Sequence, residues 1–408
     1  MANQDLGAAL NHLRVLDLSD EKGVYCGKLF ADLGADVILV ERPGGSSMRD
    51  IPPFVNNIKN SERSISFAYH NTNKRSITLN IESATGKDLY FKLAKTADII
   101  IYSFTPSDIK KLDIGYEKLK DINPSIILTS ITPFGLTGPY RNYKGADIVA
   151  WATGGMMNQT GDSDDTPVVG PGWQSYYMAS VYAAIGTMIA LYCRFATGQG
   201  QEVDVSLQEC IASLLEGTNP IYVYEGKITR RIGSQHPLAY PSRIFQCKDG
   251  YWVTNLNNAP LWRNLVEWVT SDGVGMEELT KPEYESLDIR RLDENDKIIT
   301  PLLNKWGMMH KKTEIFKEGQ KRRLPVGPAM SIDEVYDDPH LKSRNFFVEA
   351  KHPYMGVMEY PGAPYKFSET SWRINSAAPL IGENNAEIYQ ELGITKEMME
   401  EMKKDKVI

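Results

Sequence analysis

The first third of the sequence alternates short apolar runs with segments of helical pattern, and this alternation limits the fold more than any other feature. Ser83–Ala97 and Tyr116–Ile122 have the pattern of helices, and apolar runs that predict strands stand before and after them. Parallel strands need crossover connections, so the pattern predicts a parallel, Rossmann-like sheet. No G-x-G-x-x-G follows the first strand, so the dinucleotide-binding fingerprint is missing. The predicted strands are 14–18, 35–40, 76–81, 99–102 and 126–131.

The second half of the sequence changes character and predicts a smaller α+β domain. Ser242–Cys247 and Tyr251–Asn255 flank a Lys-Asp-Gly turn, which is a hairpin signal, and Trp262–Val269 has the pattern of an amphipathic helix. Near the end, the charged segment Met398–Lys406 predicts a frayed helix end. We therefore expect the first part of a large Rossmann-like domain over 1–205, a linker over 206–238, the small domain over 239–320, and a return linker with the C-terminal part of the large domain over 321–408.

Composition and charge exclude several classes of protein. With 42% hydrophobic and 24% charged residues the chain is an ordinary globular protein, and a formal charge of −7 disfavours a nucleic-acid partner. The first residues lack the pattern of a signal peptide, and no window reaches the ~18 uninterrupted apolar residues that span a bilayer. We therefore expect a cytoplasmic protein without a membrane segment. The histidines and the four cysteines show no metal-ligand spacing, which predicts no metal site and reduced thiols at Cys26, Cys193, Cys210 and Cys247.

Residues 133–206 carry the most functional information. Gly and Pro interrupt the first half of this stretch, which predicts loops. In the second half, large apolar residues recur at helical spacing from Met178 to Tyr192, and Gly198 is expected to end the helix. A glycine-broken loop that leads into an apolar helix is a common way to hold a reactive group at the edge of a cavity, although a core helix with an ordinary entry loop fits the same pattern.

Motifs in this stretch resemble those of the class III CoA-transferases, a family that also contains the alpha-methylacyl-CoA racemases. Phe-Gly-x-Thr-Gly-Pro-Tyr begins at Phe134, Gly-x-Asp ends at Asp147, and Thr-Gly-x-Gly-Gln-x-Val-Asp-Val-Ser begins at Thr197. Further blocks resemble the family in order along nearly the whole chain. The resemblance implies a Rossmann-like large domain built from both chain ends, a small domain between them, and a dimer whose two chains interlock. It also implies coenzyme A or acyl-CoA as substrate, bound at Arg42, Leu79, Asn80, Ser103, Phe104, Thr105, Lys111, Lys144 and Asp147.

The family's nucleophile is replaced in this sequence. In the transferases an aspartate carboxylate attacks the acyl-CoA thioester and forms a mixed anhydride, and that aspartate's position falls on Tyr176. A phenol with an ordinary pKa of about 10 cannot replace it at neutral pH. The racemase pair is also missing, because the position of its histidine is Ala146. Other carboxylates stand upstream in a polar segment that predicts a solvated loop tip, at Asp162, Asp164 and Asp165.

The resemblance therefore implies a subunit of a heteromeric class III CoA-transferase, whose catalytic aspartate lies on a homologous partner subunit. Members of this kind activate benzylsuccinate or other dicarboxylates with succinyl-CoA. Two alternatives stay open: a self-sufficient acyl-CoA transferase or racemase-like homodimer with a different catalytic residue, and a non-enzymatic acyl-CoA-binding protein. The resemblance places the acyl pocket at Trp173, Tyr176, Tyr177 and His236.

Overall fold

The computed structural model describes residues 7–236 and 238–408, and a six-stranded sheet forms its largest element. Every pair of neighbouring strands in this sheet is parallel, and the strand order 3-2-1-4-5-6 is that of the Rossmann fold. The predicted fold class is therefore confirmed. The strands are β1 (Arg14–Leu18), β2 (Asp36–Glu41), β3 (Arg75–Thr78), β4 (Ile99–Tyr102), β5 (Ile127–Thr132) and β6 (Glu202–Ser206).

The five predicted strands all exist; β2 and β5 are shifted by one residue, and larger differences concern the third strand and an additional sixth strand. The third strand ends at Thr78 instead of residue 81, and Leu79–Glu82 becomes an irregular segment at the carboxyl edge of the sheet. The sixth strand, β6, was not predicted. Its charged residues Glu202 and Asp204 stand at the edge of the sheet, where one side of a strand meets solvent, so it lacks the apolar run of a central strand such as β4.

Helices cover both faces of this sheet, and a hydrophobic core lies on each face. Tight burial on both faces explains why the central strands are nearly continuous apolar runs. The helices up to residue 225 are α1 (Val24–Asp32), α2 (Ile65–His70), α3 (Ala84–Thr96), α4 (Pro106–Leu112), α5 (Tyr116–Ile122), α6 (Asp147–Thr153), α7 (Gln174–Thr197), α8 (Leu207–Ala212) and α9 (Thr218–Glu225).

The chain divides into two compact units. The first contains the parallel sheet and consists of the described residues up to Met157, Val169–Tyr224 and Lys342–Ile408; the second consists of Asn158–Val168 and Glu225–Leu341. The predicted small domain, 239–320, falls within the residue range of the second unit. The predicted linker 206–238 contains helices α8 and α9, and the domain boundaries given above stay a prediction.

The second unit is an antiparallel three-stranded sheet with helices. Its strand order is 7-8-9, and the predicted hairpin is present, with the second strand beginning one residue earlier than expected. A core rich in tryptophan, including Trp252, Trp268 and Trp306, fills the unit. The elements are β7 (Ser242–Cys247), β8 (Gly250–Asn255), α10 (Ala259–Ser271), α11 (Met276–Leu279), α12 (Leu287–Arg290), α13 (Asp293–Gly307), α14 (Lys312–Lys321), β9 (Val326–Pro328), α15 (Ile332–Tyr336) and α16 (Pro339–Ser343).

The last part of the chain returns to the first unit as β10 (Phe347–His352), β11 (Gly356–Pro361), α17 (Asn385–Glu391) and α18 (Lys396–Lys404). The prediction of a frayed end is wrong. Met399 and Met402 of α18 are buried, and so are Val407 and Ile408, all within the core on one face of the sheet. The apolar residues among the charged ones hold this segment against the core, because burying them stabilises the docked helix while the charged face stays in solvent.

Helix α7 has the predicted end, with Gly198 in the left-handed conformation at its C-cap, but its buried face is not the one that carries the large apolar residues. The face toward the sheet carries small residues such as Ala179, Ala183 and Ala190, while the large apolar residues that set the periodicity face outward. Ile189 is 61% exposed and Tyr192 is 77% exposed. By length and composition alone α7 is also a candidate membrane span, a test that core helices of soluble proteins pass as well.

Candidate functional site

A cavity of about 590 Å³ opens at the carboxyl edge of the parallel sheet. Segments that follow the ends of β1, β2, β3 and β4 line it, and this edge is where open α/β sheets bind ligands. The middle of the sheet, where the order passes from β1 to β4, lies beneath it. The lining residues are Leu18, Ser19, Asp20, Val40, Arg42, Pro43, Ser46, Ser47, Leu79, Asn80, Ile81, Glu82, Phe104, Leu112 and Lys406.

Four of the predicted CoA-binding positions line this cavity: Arg42, Leu79, Asn80 and Phe104. Arg42 follows β2 directly and is exposed, and its Nε donates a hydrogen bond to the carbonyl of Gly45 at 3.3 Å. The cavity thus combines a cationic fork, backbone groups and apolar surface, the mixture that a nucleotide with phosphate groups requires.

Two predicted positions, Ser103 and Thr105, flank Phe104 in the sequence and differ in their hydrogen bonding. The Oγ of Ser103 is buried and has no hydrogen-bond partner among the described residues. Thr105 caps α4, since its hydroxyl accepts a hydrogen bond from the N–H of Asp108 while the Asp108 carboxylate accepts from Thr105. Thr105 therefore has a structural role in starting the helix.

The remaining predicted positions do not line the cavity. Lys111 makes an ion pair with Glu82 at 3.3 Å, and both side chains are largely exposed. Lys144 is an exposed residue in the loop before α6. Asp147 is the first residue of α6 and is tied into the neighbouring site of Tyr176. Whether these residues contact CoA stays a prediction.

Tyr176 lies in the first turn of α7 and is only 7% exposed. Its hydroxyl accepts a hydrogen bond from the backbone N–H of Asp147 at 3.0 Å. The carboxylate of Asp147 in turn accepts bonds from the N–H of Ser175 at 2.8 Å and from its hydroxyl at 2.7 Å. These reciprocal bonds join the starts of α6 and α7 and fix the phenol in place.

Burial raises the pKa of Tyr176 to about 12, and the nearby carboxylate of Glu21 acts in the same direction. The charges of Asp147 and Asp20 add to the effect, while the hydrogen bond from the Asp147 N–H opposes it. At neutral pH the phenol is therefore protonated, and a neutral phenol is a poor nucleophile toward a thioester.

An aromatic cluster that includes a buried histidine surrounds this position. His70 Nδ1 lies 2.7 Å from the carbonyl oxygen of Ser66, and Nε2 lies 3.0 Å from the hydroxyl of Tyr177. Burial lowers the pKa of His70 to about 4, so the ring is neutral at pH 7. Because a carbonyl only accepts, Nδ1 carries the proton and Nε2 accepts from Tyr177. The rings of Trp173 and Tyr25 pack on this pair, with centroids 6.1 Å from His70 and 4.8 Å from Tyr177.

Three of the four predicted acyl-pocket residues are thus neighbours in the first unit, namely Trp173, Tyr176 and Tyr177. The fourth, His236, belongs to the second unit, where it is exposed and its Nδ1 accepts a hydrogen bond from the N–H of Leu238 at 3.1 Å. Its assignment to the acyl pocket stays a prediction. The carboxylates considered as substitutes, Asp162, Asp164 and Asp165, are in an exposed loop of the second unit.

Sequence reasoning missed three polar residues of this site, Asp20, Glu21 and His70. Asp20 and Glu21 follow β1, more than 150 residues before Tyr176, so only the fold brings their charges near the phenol. His70 is the last residue of α2. The histidines are scattered along the sequence, so nothing in their spacing indicated that His70 belongs to this site. Within residues 7–236 and 238–408 no group of three or more metal-ligating side chains comes together.

The chain belongs to the CoA-transferase family III, whose family model matches residues 10–385. The predicted resemblance is therefore confirmed.

Two of the relatives described below are named as enzyme subunits. The chain is 33% identical to the BbsE subunit of succinyl-CoA:(R)-benzylsuccinate CoA-transferase from Thauera aromatica, over 95% of each chain. It is 33% identical to the succinyl-CoA:mesaconate CoA-transferase of Haloarcula marismortui, over 95% of this chain and 97% of that enzyme. It is 29% identical to the alpha subunit of the succinyl-CoA–L-malate CoA-transferase of Chloroflexus aurantiacus, over 98% of this chain and 92% of that subunit.

Solved structures share the fold of this chain. A CAIB/BAIF family protein from Brucella suis superposes with a TM-score of 0.83 at 29% identity, over 95% of this chain and all of the other. Rv3272 from Mycobacterium tuberculosis gives a TM-score of 0.79 at 23% identity, over 93% and 99% of the two chains, a likeness of fold alone.

Proposed function

We propose that this chain is the non-nucleophilic subunit of a heteromeric class III CoA-transferase. The observation that carries the proposal is Tyr176, a buried phenol with a pKa raised to about 12, at the position where the family's catalytic aspartate is expected. The names of two relatives, which are described as subunits, support the same assignment. The free cysteines, three of them buried, fit a protein that works in the reducing cytoplasm.

In this proposal the partner's aspartate carboxylate attacks the thioester of succinyl-CoA, which breaks the carbon–sulfur bond and releases the CoA thiolate. The thiolate then attacks the mixed anhydride, so that a carboxylate leaves and CoA is held as an enzyme thioester. This chain contributes the cavity at the sheet edge and the aromatic cluster around His70. Neutral rings provide an apolar surface that suits an aromatic succinate, because they exclude water and pack on an aryl group without a charge cost.

The exposed face of α7 supports a homologous partner. An apolar groove of about 660 Å³ runs beside it, lined by residues such as Leu29, Ile185 and Ile189. An apolar surface of this kind is typical of a permanent subunit interface. The interlocked dimer of the family would cover it, whether the second chain is a homologous subunit with an aspartate or another copy of this one.

Coexpression tests the proposal directly. This chain is purified alone and together with a homologous subunit that carries the aspartate, and succinyl-CoA-dependent transfer of CoA to benzylsuccinate and related dicarboxylates is measured. We expect no transfer by either chain alone and transfer by the pair. An Asp→Asn variant of the partner should abolish the activity of the pair. Full activity from this chain alone would contradict the proposal.

A second candidate, a self-sufficient enzyme, is favoured by one observation: the carboxylates of Glu21 and Asp20 are close enough to raise the pKa of Tyr176. In that case one of them would form the acyl intermediate. Incubation with succinyl-CoA and hydroxylamine followed by mass spectrometry would place a hydroxamate on the peptide that contains residues 20 and 21. An unmodified peptide, with modification of the partner's aspartate, would exclude this candidate.

A further inference from the structure

Two cationic side chains from opposite ends of the sequence line the cavity at the sheet edge. Arg42 follows β2, and Lys406 follows α18, after the region that the family model matches. Both side chains are exposed toward solvent. Nothing in the sequence connects these two residues, and the last segment was expected to be frayed.

The charges around the cavity leave these two cations without a counter-ion. Of the carboxylates that line it, Asp20 is paired with Lys22 and Glu82 is paired with Lys111. Within the part of the chain that the structure describes, no carboxylate lies within ion-pair distance of Arg42 or Lys406. The cavity therefore keeps two uncompensated positive charges, and a polyanionic ligand would supply the missing counter-charge.

The backbone conformation at Lys406 is energetically unfavourable for a lysine. Its φ is 54°, in the left-handed region that usually requires glycine or asparagine. The N–H of Lys406 donates to the carbonyl of Lys403 at 3.1 Å, and the N–H of Val407 donates to that of Met402 at 2.8 Å. These two bonds form a Schellman motif at the end of α18, and the accompanying apolar contact is present because Val407 and Met402 are both buried. A glycine would fit this motif better, so the lysine side chain needs another explanation.

The segment is also fixed to the wall of the cavity. The N–H of Asn80 donates to the carbonyl of Val407 at 2.7 Å, and Asn80 itself lines the cavity. Lys406 is thus held beside the segment that follows β3, where it is one of the residues that line the cavity. A residue held by buried neighbours loses little further backbone entropy when its side chain binds a ligand.

We propose that Lys406 acts together with Arg42 as a binding residue for the phosphate groups of the CoA nucleotide. Arg42 offers a planar fork with two terminal nitrogens, and Lys406 offers a compact charge, a combination that suits a chain of phosphates. The assignment rests on the proposed function, since it takes the cavity as the acyl-CoA site. It adds a contact from a segment that the family model does not include.

Calorimetric titration of the full chain with CoA, alone and in the assembly with its homologous partner, tests the assignment. The variants are Lys406→Met, Lys406→Gly and Arg42→Met, and Lys404→Met is the matched control because Lys404 is an exposed lysine of the same helix end. Each of the first three variants loses a charge-assisted contact, so we expect each of them to weaken CoA binding by about 10- to 100-fold. The control should stay within about twofold. Lys406→Gly should melt at the same or a higher temperature than the wild type, because glycine relieves the left-handed strain.

Weaker binding by a more stable variant cannot come from a purely structural role. Titration with 3′-dephospho-CoA then identifies the phosphate: equal losses for both ligands place Lys406 at the pyrophosphate, and a loss for CoA alone places it at the 3′-phosphate. If the wild type binds CoA and Lys406→Gly binds it equally well, the assignment is overturned and the proposed function stands. If the wild type binds no CoA in either form, both are overturned.

Discussion

Two polar side chains beside the candidate acyl pocket, Tyr176 and His70, are neutral near pH 7, and desolvation is the main cause for both. Desolvation disfavours whichever form carries the charge, so the same burial raises the pKa of the phenol and lowers that of the imidazole. Neither the neutral phenol nor the neutral imidazole can replace the carboxylate that attacks the thioester in this family. In the proposed function, the reacting carboxylate is therefore the aspartate of a homologous partner subunit.

Replacing Tyr176 with phenylalanine separates a structural role from a chemical one. Tyr176→Phe removes the acceptor of the Asp147 N–H, and we expect a loss of about 1 kcal/mol in the free energy of unfolding. Transferase activity of the two-subunit assembly should remain within about twofold, because the hydroxyl takes no part in the chemistry. Denaturant unfolding and steady-state kinetics measure the two effects, with Tyr143→Phe as control since Tyr143 is exposed. A loss of activity of about 1000-fold or more would instead identify the phenol as catalytic.

His70 predicts a pH dependence of stability. Its pKa is about 4 in the folded chain and about 6.5 when unfolded, so between these values the unfolded state binds more protons. Stability that is fully present above pH 6.5 is therefore lost as the pH falls toward 4, by about 2 kcal/mol between pH 7 and 5. Urea unfolding at several pH values should show this loss in the wild type and a smaller one in His70→Gln. His12→Gln, at an exposed histidine, should keep the wild-type dependence, and identical curves for all three would contradict the prediction.

At the scale of elements, α7 shows what periodicity can and cannot predict. The spacing of its apolar residues and Gly198 gave the helix and its end, but not the face that packs on the sheet. Close packing on β5 and β6 requires small side chains, and a buried hydroxyl pair, Thr129 with Thr187 at 2.6 Å, lies in the same contact. The large apolar residues form the outer face, so hydrophobicity alone pointed to the wrong side.

The packing of α7 on the sheet predicts different effects on stability when alanine is replaced with leucine at two positions of the helix. Ala183→Leu adds volume where no surface is exposed, and we expect a loss of about 1 to 3 kcal/mol in the free energy of unfolding. Ala196→Leu, on the exposed side near the end of the same helix, should change it by less than about 0.5 kcal/mol. Equal effects in urea unfolding would mean that α7 does not pack as described.

How well each strand could be predicted depends on whether it is buried on both sides. Central strands such as β1 and β4 are buried on both sides, so their apolar runs identify them from the sequence. Edge strand β6 alternates charged and apolar residues and was missed. The last helix, α18, was expected to fray because charge dominates its sequence, yet two buried methionines are enough to dock it.

At the scale of the whole molecule, the fold class followed from the strand–helix pattern, whereas the composition of the site did not. Arg42 and Phe104 follow strand ends, and parallel topology brings strand ends together, so family motifs on them led to the cavity. Asp20 and Lys406 line the same cavity, and Glu21 lies near Tyr176. Only the fold brings these residues there, so no local sequence pattern could predict their positions. The family resemblance indicated that Tyr176 stands where an aspartate nucleophile is expected. Only the structure identified the charged residues around Tyr176.

The outer face of α7 carries the last prediction, which concerns association. Ile189 and Tyr192 are 61% and 77% exposed, and a homologous subunit that covered them would bury apolar surface of both chains. Ile189→Asp combined with Tyr192→Asp should therefore abolish association, because a carboxylate buried in an apolar interface costs several kcal/mol. Sedimentation velocity, with the chain alone and with its homologous partner, should show a complex for the wild type and single chains for the double variant. The melting temperature of the isolated chain should hardly change, since neither side chain is in the core.

Ile332→Asp provides the matched control, because Ile332 is an isoleucine that is 85% exposed on α15 in the second compact unit. A general effect of added charge would weaken association in the control as well, whereas an interface on α7 leaves the control's complex intact. Since the proposed nucleophile belongs to the partner, the double variant should also lose transferase activity in proportion to its loss of association. A double variant that still forms the complex would remove α7 as the interface. One that stays active as a single chain would show that the catalytic carboxylate is in this chain, and Glu21 and Asp20 would then be the residues to replace.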